Sequence, residues 1–146
     1  MLESISPSCT ADASAEKCVV TRTHPSVATL TIAYNAKERL PRQMDALLRQ
    51  TRPVDQIIVV DNASTDGTSA ELARRYPQVT VLSMKKNLGA AGAWAAGLSF
   101  AALECGHEWV WTFDDDSIPD DNVLATLLAG AEQLKKGPLN LGIVAT

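Results

Sequence analysis

The sequence predicts an α/β fold, with a mostly parallel sheet of about four to five strands flanked by helices. Three observations predict it. Short β-prone apolar runs alternate with segments whose apolar residues recur at helical spacing, and such βαβα order argues a parallel sheet joined by crossover helices. The 146 residues are 46% hydrophobic, enough for one domain with a buried core. Polar clusters follow three of the four core strand candidates, and ligands in open α/β sheets bind outside the carboxyl ends of the strands.

Residues 1–25 are rich in Ser, Thr, Ala and charge without a clear period, and read as an N-terminal tail or edge element. Residues 26–146 form the predicted domain. Ser26 to Ala33 alternates and is β-prone, so it is the first core strand, ended by Tyr34-Asn35. Leu40, Met44, Leu47 and Leu48 recur at helical spacing, with Pro41 suited to a first turn and Pro53 blocking continuation. Gln56-Ile57-Ile58-Val59-Val60 reads as a strand buried on both faces.

A polar turn, Asp61 to Gly67, leads to Thr68-Ser69-Ala70-Glu71, which has the pattern of a capping box with Thr68 as N-cap. The helix it opens runs through Tyr76 to Pro77, and Val79 to Leu82 is the third strand. Asn87-Leu88-Gly89 opens another special turn, followed by a small-residue helix from Ala90 to Cys105, with Gly106 as its stop. Trp109 to Phe113 is the fourth strand. Asp120 or Asp121 can cap a last helix carrying Val123, Leu124, Leu127, Leu128 and Leu134, ended by Gly137-Pro138. Leu141 to Ala145 has the composition of one more strand.

A net charge of −4 carries no basic footprint, so nucleic acid is not a predicted partner. Cys9, Cys18 and Cys105 are odd in number and lack CxxC spacing, which fits reduced cytosolic thiols better than a zinc site. The first twenty residues lack a continuous apolar segment. The longest apolar stretch, Ala90 to Leu103, is interrupted by Gly92, Gly97 and Ser99. The expectation is a cytoplasmic protein, with peripheral association at the inner face of the membrane left open.

The chemistry concentrates in Asp114-Asp115-Asp116. Three adjacent carboxylates repel one another unless hydrated, hydrogen-bonded or neutralised by a cation. If extended geometry persists past the strand, Asp114 and Asp116 face one side and Asp115 the other. Such a pair suits Mg²⁺ or Mn²⁺, which use few carboxylates plus phosphate oxygens. A solvated loop that caps the next helix is the plainer alternative. A calcium loop counted from Asp114 would need glycine and glutamate where Pro119 and Ala125 stand, and is rejected.

Asp61 and Asn62, just past a buried strand, can accept from a base or ribose, or can form an Asx-turn. Asp66-Gly67 is better read as turn chemistry. Asn87-Leu88-Gly89-Ala90-Ala91-Gly92 matches neither GxGxxG nor a Walker loop. Its small residues permit either backbone approach to a ligand or tight packing on the sheet. Lys85 and Lys86 face either phosphate or solvent. Trp94, Phe100, Trp109 and Trp111 read as core, and His24 and His107 receive no role. No Ser-His-Asp or Cys-His arrangement is present.

Four segments in order carry a resemblance: Val27 to Asn35, Ile57 to Thr68, Asn87-Leu88-Gly89, and Phe113 to Pro119. The chain resembles family 2 glycosyltransferases, which are inverting, sugar-nucleotide-dependent enzymes of the Rossmann-like GT-A fold. The Asp-Asn-Ala-Ser turn and the Asn-Leu-Gly segment are similar to the bacterial rhamnosyl- and galactofuranosyltransferase branch. The resemblance implies that Ala33, Tyr34 and Asn35 line the base pocket. It implies base or ribose contacts for Asp61 and Asn62, although many members carry a second Asp where Asn62 stands. Asn87 and Gly89 would lie beside the nucleotide. Asp114 would approach ribose or metal, Asp116 would be the principal metal ligand, and Asp115 would fill the variable middle position on the nucleotide side.

The implied reading is the donor-binding half of a metal-dependent transferase, using Mn²⁺ or Mg²⁺ and a UDP- or dTDP-sugar. Its acceptor would be a saccharide or lipid-linked sugar in bacterial cell-wall or polysaccharide assembly. Family members run past this length into an acceptor half that supplies a carboxylate base, so no catalytic base is assigned before Thr146. The expectation is a chain that binds nucleotide but transfers little sugar alone. The rivals are a non-catalytic nucleotide-binding or regulatory module of the same fold and a sugar nucleotidyltransferase. The latter needs a glycine-rich loop after the first strand, where Tyr34-Asn35-Ala36-Lys37 stands.

Overall fold

Alternation of β-branched, apolar runs with amphipathic segments yields a three-layer α/β domain in the computed structural model, which describes residues 24–135. The order is β1 (Val27–Ala33), α1 (Leu40–Leu48), β2 (Gln56–Asp61), α2 (Thr68–Arg75), β3 (Thr80–Ser83), α3 (Gly89–Ser99), a single π-helical turn (Phe100–Glu104), β4 (Trp109–Asp114) and α4 (Val123–Lys135). The tail, Cys9, Cys18 and the strand expected at Leu141 to Ala145 lie outside the described residues.

All neighbours in the sheet are parallel, in the order β3-β2-β1-β4. The chain moves outward from β1 through β2 to β3, then returns to the other side of β1 for β4. That reversal opens a crevice beyond the carboxyl ends of β1 and β4, where ligands of doubly wound sheets bind. Register aligns the strand ends there: Ala33 is level with Asp61, Asp61 with Ser83, and Ile32 with Asp114.

Period-two alternation divides the core. Ala33, Ile57, Val59 and Phe113 face α1 and α2, joined by Leu40, Met44, Leu47 and Leu72. Ala28, Leu30, Ile58 and Val60 face α3, meeting Ala93 and Ala101. β1 and β2 are thus covered on both faces, as continuous apolar runs require. The tryptophans expected in the core are half-buried at its margin, with Trp94 on the α3 side and Trp111 on the other. Trp111 packs its ring 4.4 Å from that of Phe113.

The small-residue helix lies against the sheet because Gly97 has no side chain. A Cβ there would stand 2.5 Å from Leu30 Cδ1 and 2.9 Å from Val60 Cγ2. The single helix expected from Ala90 to Cys105 instead ends its α-helical part at Ser99 and widens into the π turn before Gly106, whose φ of 70° terminates it.

Two capping expectations are corrected. Thr68 is the first residue of α2, not its N-cap; Gly67, at φ 87°, precedes it. The Thr68 amide donates to Asp66 Oδ1 at 3.0 Å, while Glu71 pairs with Arg74 at 2.8 Å instead of reaching back to the helix start. Neither Asp120 nor Asp121 caps α4, which begins at Val123. Their carbonyls accept from Gln50 Nε2 and from the Thr51 amide, both at 2.7 Å, tying this segment to the end of α1.

Candidate functional site

Loops after β1, β2 and β4, with the loop before α3, converge on the crevice edge. The first two are zipped together by polar side chains. The Asn35 amide donates to Ser64 Oγ at 2.9 Å, and Asn35 Oδ1 accepts from the Thr65 amide at 2.9 Å. The Ala36 amide donates to Thr68 Oγ1 at 3.1 Å, and the Lys37 amide to Asp66 Oδ2 at 3.0 Å. Asn35 and Ala63 adopt left-handed backbone at φ 51° and 65°. Asn tolerates this conformation, whereas alanine pays for its Cβ there.

Asp66 is therefore a turn residue, as its sequence context predicts. Desolvation raises its pKa, but hydrogen bonds from the Thr68 hydroxyl and from the Lys37 and Thr68 amides outweigh this and hold the carboxyl below its ordinary range.

Asp61 and Asn62 are both 4% exposed. Asp61 Oδ1 accepts from the Ser64 amide at 2.9 Å, and Oδ2 from the Ser69 hydroxyl. Asn62 donates through Nδ2 to Asn87 Oδ1 at 3.0 Å and to the Gly89 carbonyl at 3.3 Å, and accepts at Oδ1 from the Leu88 amide at 2.8 Å. Its amide is a hook that holds the Asn87-Leu88-Gly89 turn against the end of β2. Asn87 Oδ1 also accepts from the Gly89 amide at 2.8 Å, and Gly89 takes φ 69°.

Ala33 is fully buried in the core; only its carbonyl, which accepts from the Asn62 amide at 2.9 Å, belongs to the loop network. Tyr34 lies beside it, 48% exposed at the crevice. Lys85, Lys86 and Asn87 are exposed before α3.

The acidic turn is built differently. β4 ends at Asp114, and the chain turns at once, with the Ser117 amide 3.2 Å from the Asp114 carbonyl. The extended geometry expected to carry Asp114 and Asp116 to a common side does not persist, because Gln43 draws both ends of the turn inward. Its Nε2 donates to the Asp114 carbonyl at 2.7 Å and to the Ser117 carbonyl at 2.8 Å. Asp115 is not free within the triplet: Arg39 Nη2 binds its Oδ2 at 2.6 Å. That hydrogen bond and the charge of Asp115, with Asp116 and Asp66 adding to it, raise the Arg39 pKa further, so the guanidinium is a fixed cation beside the turn.

Asp114 and Asp116 remain, both exposed. Among the described residues no three metal-ligating side chains gather into a cage. Two exposed carboxylates of hard oxygen donors fit Mg²⁺ or Mn²⁺ shared with phosphate, and do not fit a closed all-protein site.

Sequence reasoning missed Gln43, Arg39, Ser64 and Thr65. A signal for Gln43 was present: it sits among Leu40, Met44 and Leu47 on the stripe that helical spacing buries, where an unpaired polar side chain is costly. The other three pair across about 30 or more residues of chain, and no local pattern marks such contacts.

A model of glycosyl transferase family 2 matches residues 29–138. Galactofuranosyltransferase GlfT1 of Mycobacterium tuberculosis is 41% identical over 111 residues, which are 74% of this chain and 36% of that protein. The N-acetylglucosaminyl-diphospho-decaprenol L-rhamnosyltransferase of the same organism is 36% identical over 83 residues, 54% of this chain and 27% of that protein. The chain thus spans about a third of the length of these curated relatives. Among solved structures, mannosyltransferase PcManGT of Pyrobaculum calidifontis, in complex with GDP-Man and Mn²⁺, superposes with a TM-score of 0.59 at 28% identity, over 70% of this chain and 31% of that one. S. aureus TarS in complex with UDP gives 0.60 at 21% identity, over 76% and 32%, a likeness of fold. With its parallel sheet, its crevice and the order of its four motifs, the chain belongs to glycosyl transferase family 2 and has the GT-A fold.

Proposed function

We propose that the chain is the donor-binding half of an inverting, metal-dependent glycosyltransferase that takes a UDP- or dTDP-sugar. The observation that carries this reading is the pairing of Asp115 with Arg39, which leaves Asp114 and Asp116 as the exposed carboxylates of the triplet at the sheet's switch point. The relatives named above transfer galactofuranose and rhamnose, and PcManGT is seen with a nucleotide sugar and Mn²⁺, which supports a sugar-nucleotide donor and a divalent ion.

In this reading Tyr34 offers an aromatic face to the base, and Asn35, Asn87 and Gly89 border the nucleotide. Asp61 and Asn62 form the floor: Asp61 keeps lone pairs for the base or ribose, and Asn62 acts by holding the Asn87 turn. Ala33 sets the end of β1 from within the core. Asp115, neutralised by Arg39, adds no net charge where the diphosphate lies. Asp114 and Asp116 would hold the ion, which when bound stabilises the charge that grows on the leaving diphosphate.

An acceptor hydroxyl would attack the anomeric carbon from the opposite face, its proton taken by a carboxylate outside this chain. One of the relatives is named for a diphospho-decaprenol sugar. Its name supports a saccharide or lipid-linked acceptor, and the enzyme is proposed to work in the cytoplasm, at the inner face of the membrane. No helix among the described residues is long and apolar enough to cross a membrane.

Calorimetric titration of the chain with UDP, dTDP and GDP, each with Mn²⁺ and again with chelator, tests this reading. One nucleotide should bind in a metal-dependent manner, and Asp116→Ala should abolish the metal-dependent part. Equal affinities with Mn²⁺ and with chelator for all three nucleotides would overturn it.

A further inference from the structure

The acidic turn points its carboxylates outward but hangs from α1 by its backbone. Gln43 is fully buried, and its amide is fully engaged. Both Nε2 hydrogens reach carbonyls, at Asp114 and Ser117, and Oε1 accepts from Thr31 Oγ1 of β1 at 2.9 Å. A single side chain thus joins β1, α1 and both ends of the four-residue turn. A terminus with two donors and an acceptor does this; a carboxylate would repel both carbonyls, and an apolar side chain would take away the Ser117 carbonyl's bond to Gln43 and leave the Asp114 carbonyl only the Ser117 amide.

A second buried amide stands seven residues on, just past the C-terminal end of α1. Gln50 Nε2 donates to the Asp120 carbonyl at 2.7 Å, and its Oε1 accepts from the Leu124 amide at 3.1 Å. The two glutamines share burial and chemistry, one within α1 and one just after it. They differ in what they hold: Gln43 the turn with the acids, Gln50 the approach to α4.

We propose that Gln43 is a positioning residue of the donor site, fixing where Asp114 and Asp116 stand relative to the diphosphate through the turn's backbone. This rests on the donor-site reading above. Supporting groups behind metal ligands matter because a carboxylate displaced by a fraction of an ångström loses the ion without losing the fold, and their removal typically costs about 10–100-fold in metal affinity or activity.

The test compares Gln43→Met and Gln50→Met in the 146-residue chain. The readouts are thermal unfolding, Mn²⁺-dependent and chelated UDP, dTDP and GDP affinity, and the spin resonance of bound Mn²⁺. Both variants remove one buried clamp and should lose similar stability. Gln43→Met should weaken the Mn²⁺-dependent part of nucleotide affinity by about tenfold or more and alter the Mn²⁺ spectrum. It should leave affinity in chelator unchanged, and Gln50→Met should leave both affinities near wild type. Wild-type affinity in Gln43→Met, or parallel losses in the two variants, would overturn the proposal.

Should Gln43→Met fail to fold, Thr31→Val removes only the hydroxyl that orients the amide. A smaller loss in the same Mn²⁺-dependent affinity is then expected, and no loss refutes the role. Asp116→Ala separates the two ideas. If it keeps metal-dependent binding, the donor-site reading fails. If it loses binding while Gln43→Met does not, only the positioning role fails.

Discussion

The loop after β2 and the turn after β4 set similar side chains at the same edge of one sheet, and the fold uses them in opposite ways. At β2 the side chains of Asp61 and Asn62 turn inward, bonded to Ser64, Ser69, Asn87, Leu88 and Gly89. At β4 the backbone carbonyls of Asp114 and Ser117 turn inward to Gln43, and the Asp114 and Asp116 side chains stay exposed. A carboxylate at a ligand-binding edge is therefore not by itself a ligand contact. Asp61, with a partner on each oxygen, serves structure first and meets a ligand only through its remaining lone pairs, whereas the Asp114 and Asp116 side chains stay exposed.

The largest contrast should come from Asp116→Ala against Asn62→Ala. Asp116→Ala should remove metal-dependent nucleotide binding and leave thermal unfolding almost unchanged, since an exposed side chain is lost. Asn62→Ala should do the reverse. It leaves the Leu88 amide and Asn87 Oδ1 short of a partner, a cost of about 1–3 kcal/mol visible in denaturant unfolding. Nucleotide affinity should fall only in so far as the Asn87 turn loosens. Equal stability of the two variants would erase the distinction between the regions.

A smaller effect is expected at Arg39. The Arg39 side chain is 51% exposed and that of Asp115 21%, and ion pairs this near the surface contribute little to stability. If the guanidinium serves only to neutralise Asp115, then Arg39→Gln and Asp115→Asn should each change Mn²⁺-dependent affinity in opposite directions. The double variant should return close to wild type. Shifts of the same sign in the two single variants, or no shift in either, would mean that the pair is incidental to the site.

The alternation of strands and helices was legible because period-two and helical spacings are local and the core obeys both. β2 is the clearest case: Gln56 to Val60 reads as buried on two faces, and Ile57 to Val60 are so, with Gln56 half-buried at the strand's start. The widening of α3 into a π turn at Phe100 was not legible, since it carries no proline and no charge pattern. The acidic triplet was visible as chemistry, but its geometry was not. Whether Asp114 and Asp116 share a side depends on Gln43, more than 70 residues away in sequence. Thr68 misled for a related reason: the capping-box pattern is satisfied in sequence, but Asp66 reaches the Thr68 amide first and the Ala36 amide takes Thr68 Oγ1.

The finest test of the comparison is the pH dependence of the β1–β2 loop zipper. Asp66 accepts from the Lys37 and Thr68 amides and from the Thr68 hydroxyl, so its folded pKa lies below the ordinary carboxylate value. A carboxyl depressed on folding contributes stability that is fully present above its unfolded pKa, about 3.9, and is lost as pH falls through the folded value. Asp66→Asn mimics the protonated state. It should be less stable than wild type at neutral pH, with the difference shrinking below about pH 4 as the wild-type carboxyl takes up its proton. Every other ionisable group is common to the two proteins, so the difference between the two unfolding curves isolates Asp66. Metal-dependent nucleotide binding should be nearly equal in the two proteins at neutral pH, because Asp66 holds the neighbouring loop and not the acidic turn. A stability gap that widens as pH falls would mean that its hydrogen bonds favour the neutral carboxyl, and the zipper would then owe nothing to charge.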